Sequence, residues 1–448
     1  MKIIHVPFCY WPDPVGGTEI YVRSLAREQQ RKGLEVLVAA PAAQDARYVH
    51  EGVDVRRFRI AGEVQDVSEL YGEGDALAAS AFGRIVDDER PEIVHLHAFT
   101  RGVSLRLVRE VKRRGVPVVF SYHTPTVSCP RGTLLRWGTE VCEGVLDVSA
   151  CTRCTLQGHG LNRFGSALVG ITPARFGRVL GKMGASGGMW TAARMTELVQ
   201  MRHSAFQGLM AEVDHVIGLC HWVKEVLLRN GVPESKITVS LQGLNDGQDT
   251  RAERPRATLP LRIAFFGRLD PTKGVDILIR VFKGNPALSA QLDIFGVVQG
   301  QAGDTYQKAL ISQAAGDARI RLLPPIPSGE VIATLRDYDL LAVPSQCLET
   351  GPRVVLEAFA AGIPVLGSNL GGVAELIQHG VNGVLVEARS IDAWARAIQS
   401  VADPSLLERL RLGIRPPRRV VDVAGQMGQI YANLLRVPTP DLGVTAIV

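Results

Sequence analysis

One pattern constrains the fold of this chain more than any other. Short apolar runs alternate with amphipathic helical stretches, twice over, on either side of a polar break. In the first series Lys2–Val6, Leu34–Ala40, Val53–Ile60, Ile93–His97 and Val116–Tyr122 read as strands, and Thr18–Arg31, Ser68–Asp88 and Val103–Arg114 as helices. Val213–Leu219, Trp222–Arg229 and Ile237–Leu241 continue it as strand, helix and strand. Such βαβ alternation places the strands in a parallel sheet covered by helices on both faces. Residues 246–260, DGQDTRAERPRATLP, are charged and proline-containing with no apolar period, so they read as a linker. A second series then begins at Leu261–Gly267. Its further strands are Gln291–Gly296, Ile320–Leu323, Leu340–Val343 and Ile363–Leu366, and its helices Val275–Phe282, Ser328–Arg336, Val354–Ala361 and Ile391–Ala402. The expectation is an α/β chain of two doubly wound domains, 1–245 and 246–419. Residues 420–448 add a helix able to pack on either domain, and a tail. Open sheets of this kind bind ligands at their strand C-terminal ends, so a cleft lined by those ends is the expected site.

Composition excludes several other classes. Hydrophobic residues make up 46% and charged residues 21% of 448 residues, which is ordinary for globular domains and excludes disorder. No run of 18 uncharged apolar residues occurs, so no membrane-crossing helix is expected. Met1–Val6 enters a strand without the basic and apolar regions of a signal peptide, so the expected location is cytoplasmic.

Three loops carry candidate chemistry. Gly16 and Gly17 follow the first strand and precede a helix that Thr18 can cap. Their backbone N–H groups suit an anion at a helix N-terminus, although an ordinary strand-to-helix turn has the same look. In Phe266-Gly267-Arg268-Leu269-Asp270-Pro271-Thr272-Lys273-Gly274, a guanidinium and an ammonium follow a strand. Together they can hold a diphosphate from two sides, or stand as two solvated cations. In the third loop Glu349 lies eight positions before Glu357, and Pro352 marks the first turn of a helix. That helix start offers N–H groups near Val354 and Val355 to an anion. Glu357 can accept both hydroxyls of a ribose, and Glu349 can reach sugar hydroxyls.

Arg268, Lys273 and the paired glutamates, followed by Ala361-Gly362-Ile363-Pro364-Val365 and Gly371-Gly372-Val373-Ala374-Glu375, resemble the family 4 retaining glycosyltransferases. The resemblance implies the GT-B fold, two Rossmann-like domains facing across a cleft. It implies that Arg268 and Lys273 hold the diphosphate of a nucleotide-sugar donor, that Glu357 binds the donor ribose and that Glu349 contacts the transferred sugar. It also places His123, at the end of a strand, near the donor sugar and leaving phosphate. His95 and His97 share one face of another strand and read equally well as packing. Two departures stand out: Gly351-Pro352 replaces the usual Phe-Gly, and one extra residue separates Pro344 from Glu349. No Asp-x-Asp motif suits a nucleotide diphosphate here, which agrees with the resemblance, so no catalytic metal is expected.

Residues 125–212 do not fit the alternation and read as an insertion. Cys129, Cys142, Cys151 and Cys154 are spaced C-x12-C-x8-C-x2-C, which suits a structural tetrahedral zinc. An iron–sulfur cluster or a redox dithiol at Cys151/Cys154 are the lesser readings. Residues 155–203 carry six basic residues and one acid, which equals the net charge of the whole chain, +5. Methionines 183, 189, 195, 201 and 210 fall in or beside this stretch. It can pack as a helical hairpin, cover the cleft as a lid, or touch an anionic membrane or lipid-linked acceptor at the inner membrane face. Gly181, Gly184, Gly187 and Gly188 interrupt any long helix there. The expected partners are a nucleotide-sugar donor and a sugar or lipid-linked acceptor, with no nucleic acid. The alternatives are a GT-B epimerase or phosphorylase, and a non-catalytic GT-B subunit that binds a partner through the cysteine insertion.

Overall fold

The computed structural model describes residues 1–64, 67–185, 187–245 and 259–435. The linker expected at 246–260 and the tail after 435 fall mostly or wholly outside the described residues. The chain forms two compact units, one of residues 1–241 with 420–448 and one of residues 242–419.

The first unit is built on β1 (Lys2–Val6), β2 (Glu35–Ala42), β3 (Ala46–His50), β4 (Val53–Arg59), β5 (Ile93–Leu96), β6 (Val118–Tyr122), β9 (His215–Gly218) and β10 (Ile237–Val239), with a small β7–β8 hairpin (Leu135–Arg136, Glu140–Val141) apart. The sheet order is β10-β9-β6-β5-β1-β2-β4-β3. Its pairs are parallel except β3 with β4, an edge strand that the alternation did not mark. Ten α-helices of the described residues come before β10: α1 (Gly17–Arg31), α2 (Ser68–Tyr71), α3 (Ala76–Glu89), α4 (Leu105–Arg113), α5 (Val148–Gly158), α6 (Arg163–Gly170), α7 (Ala174–Lys182), α8 (Gly188–Ala193), α9 (Met195–Glu212) and α10 (His221–Arg229).

Two expectations need correction here. The single helix over Ser68–Asp88 is two, α2 and α3, broken at Gly74. Gly74 has φ +95°, and a Cβ there would lie 2.1 Å from the Ser104 Cβ, so only glycine fits. The segment 125–212 is also not wholly an insertion. α9 is the crossover helix between β6 and β9, and Ala205, Phe206, Leu209 and Met210 on it join the main core with Phe120 and Val216. What is inserted is the hairpin with α5–α8.

The second unit has β11 (Leu261–Arg268), β12 (Ala290–Val297), β13 (Ile320–Leu323), β14 (Leu340–Val343), β15 (Val365–Ser368) and β16 (Gly383–Val386). Their order β13-β12-β11-β14-β15-β16 is the doubly wound Rossmann order, parallel throughout. The helices are α11 (Val275–Gly284), α12 (Gly300–Ala314), α13 (Val331–Leu335), α14 (Arg353–Ala360), α15 (Gly371–Leu376), α16 (Ile391–Val401) and α17 (Pro404–Leu412). β16, α12, α15 and α17 escaped the sequence reading. Apolar clusters cover both faces of the sheet, which is why its strands read as near-continuous apolar runs. The last helix, α18 (Val420–Leu435), belongs to the first unit and packs with α1, burying Val423, Met427 and Tyr431.

Candidate active site

In the second unit the strand order reverses between β11 and β14, and ligands of such sheets bind at that switch point. The loops after these two strands carry the expected cations and the first glutamate. Lys273 Nζ lies 2.6 Å from Glu349 Oε1, and Ser345 Oγ donates to the same oxygen at 2.5 Å. Burial pushes Glu349 up, but Lys273, Ser345 and the nearby Arg268 outweigh it and hold its carboxyl below the usual range. Arg268 is exposed and reaches Gln299 Oε1 at 3.5 Å. The loops pack closely because two backbone positions are glycine. Gly274 has φ +70°, and a Cβ there would meet Pro344 O at 2.1 Å. Gly372 donates its N–H to Glu349 O at 2.8 Å, and its Cβ would fall 2.7 Å from that oxygen.

Glu357, on α14, is 6% exposed and takes an ion pair from Arg353 Nε at 2.8 Å. Burial raises its pKa, against the opposing pull of Arg353. The helix start departs from expectation. Val355 N–H is already bonded to Pro352 O at 3.0 Å, so Val354 alone of the two expected N–H groups is without an intrahelical bond in that turn. Sequence reasoning missed Ser345 and Arg353. The i,i+4 spacing of Arg353 and Glu357 on one helix was the available signal.

In the first unit the Gly16–Gly17 turn also differs. The helix is capped at Gly16, not at Thr18, and Glu19 Oε2 accepts the Gly16 N–H at 2.8 Å. An anion there would meet a carboxylate beside it. His123 is 6% exposed at the end of β6, with Nε2 3.0 Å from His97 Nδ1. His5, in register with His95 across β1 and β5, is buried as well, and its Nδ1 is 2.9 Å from His97 Nε2. Burial lowers every one of these rings, His5 to about 4, His123 to about 3, and His95 and His97 well below the usual value. All four are therefore neutral at pH 7. The sequence reading noted His95 and His97 but not His5.

The cysteine group is gathered but open. Cys129 follows a short turn, Cys142 follows β8, and Cys151 and Cys154 lie one turn apart on α5. Trp137 N–H points at Cys154 Sγ at 3.3 Å and Gly144 N–H at Cys142 Sγ at 3.5 Å. Burial, with smaller contributions from the three other thiols, pushes Cys151 up to about 12. No three of these sulfurs lie within 4.8 Å of one another; among the described residues the set that does is His5, His95 and His97.

The basic stretch is corrected in part. Arg194 is 2% exposed and paired with Glu197, and Arg202 is buried, donating to Thr126 O at 2.7 Å with its guanidinium over Phe99. These two cations are core features. Arg163, Arg175, Arg178 and Lys182 remain exposed. No helix among the described residues is long and apolar enough to cross a membrane.

Comparison with known proteins follows this division. Residues 16–240 match the glycosyl transferase 4-like domain, and residues 247–413 match glycosyl transferases group 1. A D-inositol 3-phosphate glycosyltransferase of Rhodococcus opacus is 27% identical over 422 residues, covering 88% of this chain and 80% of that protein. One from Corynebacterium glutamicum is 35% identical over 178 residues, and that match spans 42% of its length. Among solved structures, a sucrose-phosphate synthase from Thermosynechococcus elongatus superposes with a TM-score of 0.66 at 17% identity, covering 97% of this chain and all of that one. HepE of Anabaena in complex with UDP gives 0.61 at 16%, with the same coverage. The fold is GT-B.

Proposed function

The chain belongs to the glycosyl transferase 4-like family, and from that premise we propose a retaining glycosyltransferase that takes its sugar from a nucleoside diphosphate. The observation that carries the donor assignment is the Lys273–Glu349–Ser345 cluster at the switch point of the Rossmann-ordered unit, with Arg268 alongside. A half-buried ammonium held by a carboxylate is a place where a phosphate oxygen can take over as counterion. In this reading Arg268 and Lys273 hold the diphosphate, Val354 N–H adds a donor, and Glu357 takes the ribose hydroxyls. Glu349, released from Lys273 as the phosphate binds, turns to the transferred sugar. The first unit contributes His123, a neutral imidazole that hydrogen-bonds substrate. The bond from the anomeric carbon to the leaving diphosphate breaks, and the acceptor oxygen bonds to that carbon from the same face. The acceptor proton passes to the departing phosphate oxygen.

The test is a thermal-shift screen of nucleoside diphosphates and their sugars, followed by product analysis with any hit. A product of unchanged anomeric configuration supports the proposal, and an inverted product or an epimerised free nucleotide sugar overturns it. Glu357→Ala should abolish the shift given by the best nucleotide; an unchanged shift would move the ribose site elsewhere.

A lipid-linked acceptor at an anionic membrane surface has its own support. Nine of the twenty-one exposed large apolar side chains of the described residues fall between Leu161 and Trp190. On α7 the glycines Gly177 and Gly181 lie against Glu197 of α9 and Arg194 just before it, where a Cβ would fall 2.7 Å from their side chains. At about 100° per residue the opposite side presents Phe176, Val179 and Met183 as one stripe, with Arg175, Arg178 and Lys182 as the next. Apolar side chains beside cations, with no acid from 148 to 196, are complementary to a negatively charged bilayer. The chain should sediment with vesicles containing phosphatidylglycerol and not with phosphatidylcholine alone, and Phe176→Ser with Met183→Ser should reverse this. Equal behaviour on both vesicle types would remove the membrane reading.

A structural zinc at Cys129, Cys142, Cys151 and Cys154 is supported by the N–H groups aimed at Cys142 and Cys154, the pattern that stabilises thiolates. Metal analysis of the purified chain should find one zinc. Iron in its place, or no metal, would give the site to the cluster or the dithiol.

A further inference from the structure

The buried histidines of the first unit belong to one unbroken line of hydrogen bonds. It begins at His123, whose Nε2 is 3.0 Å from His97 Nδ1. His97 Nε2 is 2.9 Å from His5 Nδ1, and His5 Nε2 is 2.7 Å from Gln29 Oε1 on α1. Gln29 Nε2 is 3.5 Å from the Tyr431 hydroxyl on α18, which lies 2.6 Å from His95 Nδ1. His95 Nε2 ends the line 2.8 Å from Ser121 Oγ. Every member is buried, on the sheet face that α1 and α18 cover.

A neutral imidazole has one N–H and one lone pair. Each ring in the line must therefore donate at one nitrogen and accept at the other. The amide of Gln29 sets the direction, because Oε1 only accepts and Nε2 only donates. His5 then donates from Nε2 to Gln29 and accepts at Nδ1 from His97 Nε2–H. His97 in turn accepts at Nδ1 from His123 Nε2–H. On the other side Gln29 donates to Tyr431, Tyr431 donates to His95 Nδ1, and His95 Nε2–H donates to Ser121. All six bonds run the same way, and chains of that kind polarise one another.

The same rings raise the question of a metal, since His5, His95 and His97 bring nitrogens within 4.8 Å. A metal needs a lone pair from each ligand nitrogen. Here His5 and His97 face each other with the proton of a hydrogen bond between them, and His95 is tied at both nitrogens. The set is complete as a proton-ordering line.

We infer that Gln29 is a positioning residue that fixes the tautomer of His123, holding its proton on Nε2 and its lone pair on Nδ1 through His5 and His97. This rests on the reading that His123 hydrogen-bonds substrate. A turned Gln29 amide would reverse all six bonds and move the His123 proton to Nδ1. Neither Gln29, His5 nor Tyr431 meets substrate in this scheme; they act through His123.

The test reads the tautomer directly. In ¹⁵N-histidine-labelled full-length protein at neutral pH, the His123 ring should show the pyrrole-type shift at Nε2 and the pyridine-type shift at Nδ1. A proton on Nδ1, or averaged shifts, overturns the inference. Gln29→Met, which removes both amide functions at similar length, should average the two His123 shifts and lower kcat about tenfold with donor KM within about twofold. An unchanged His123 tautomer in that variant also overturns it. If Gln29→Met does not fold, the wild-type spectrum still decides. Undiminished activity of His123→Ala would strike the reading of His123 as a substrate contact, while the spectrum separately judges the role of Gln29.

Discussion

Both units bury titratable groups at the end of a parallel sheet, and they solve the problem in opposite ways. In the second unit each acid is matched with a base, Lys273 with Glu349 and Arg353 with Glu357. In the first unit four imidazoles stay neutral, and their protons are shared along a line with an amide, a phenol and a hydroxyl. Paired charges out of water are worth keeping where an incoming ion will replace one partner, because breaking such a pair otherwise leaves a costly lone charge. Neutral rings with assigned protons suit a hydroxyl, which needs direction rather than charge. On the proposed reading, the difference is that between a region that receives a phosphate and one that receives a sugar or acceptor alcohol.

Acid should separate the two regions most strongly. The four histidines are depressed in the folded state, so the unfolded chain binds more protons between their folded values and about 6.5. Their contribution is whole above about pH 6.5 and falls by up to roughly 1.4 kcal/mol per pH unit for each ring below it. Glu349 is also depressed, but its contribution is whole above its unfolded value near 4.5 and is lost only as pH falls through the folded value. Glu357, raised by burial, is relieved by protonation. At pH 5, hydrogen exchange should show the first unit loosened and the second intact. Simultaneous loosening of both would break the comparison.

Lys273→Ala comes next. It leaves the half-buried Glu349 without its ammonium, a change of at most about 3–5 kcal/mol, the figure for fully buried pairs. Calorimetry should show nucleoside diphosphate affinity down by about 100-fold or more, with exchange in the first unit unaltered. An affinity loss under about threefold would mean that Lys273 does not meet phosphate.

The smallest expected effect is that of Gly372→Ala. The new Cβ would press on Glu349 O and Gly351 N, both backbone, so the Glu349 loop must shift at about 1–3 kcal/mol. Thermal unfolding should fall by a few degrees and donor affinity should weaken with it. A fall in stability without any loss of donor affinity would show that the position of this loop is not critical to the donor.

Much of the second unit was legible in the sequence because its parts are local. Arg268 and Lys273 stand five apart in one loop, and Glu349 and Glu357 flank one helix start. The first unit was legible only in outline. Thr18 was taken for the cap that Gly16 provides, since a helix start depends on backbone torsions that composition does not reveal. Arg194 and Arg202 were counted with an exposed basic stretch, because the periodicity of α9 does not say that the carbonyls of Phe99 and Thr126 lie under Arg202. The apolar residues of α6–α8 read in the sequence as packing ahead of membrane contact, and the exposure of nine such side chains from Leu161 to Trp190 does not follow from periodicity.

By itself, then, the sequence determined two Rossmann-like sheets and the strand ends at which the cations and glutamates would stand, since hydrophobic period and strand–loop–helix order act over short spans. The tertiary structure alone decided the partners: Lys273 with Glu349 across the switch point, and Gln29 with Tyr431 across 402 positions of chain. Such pairs follow from strand order and from the return of α18 to the first unit. Burial then compels every polar atom so enclosed to find a partner, and no local pattern records which one it will be.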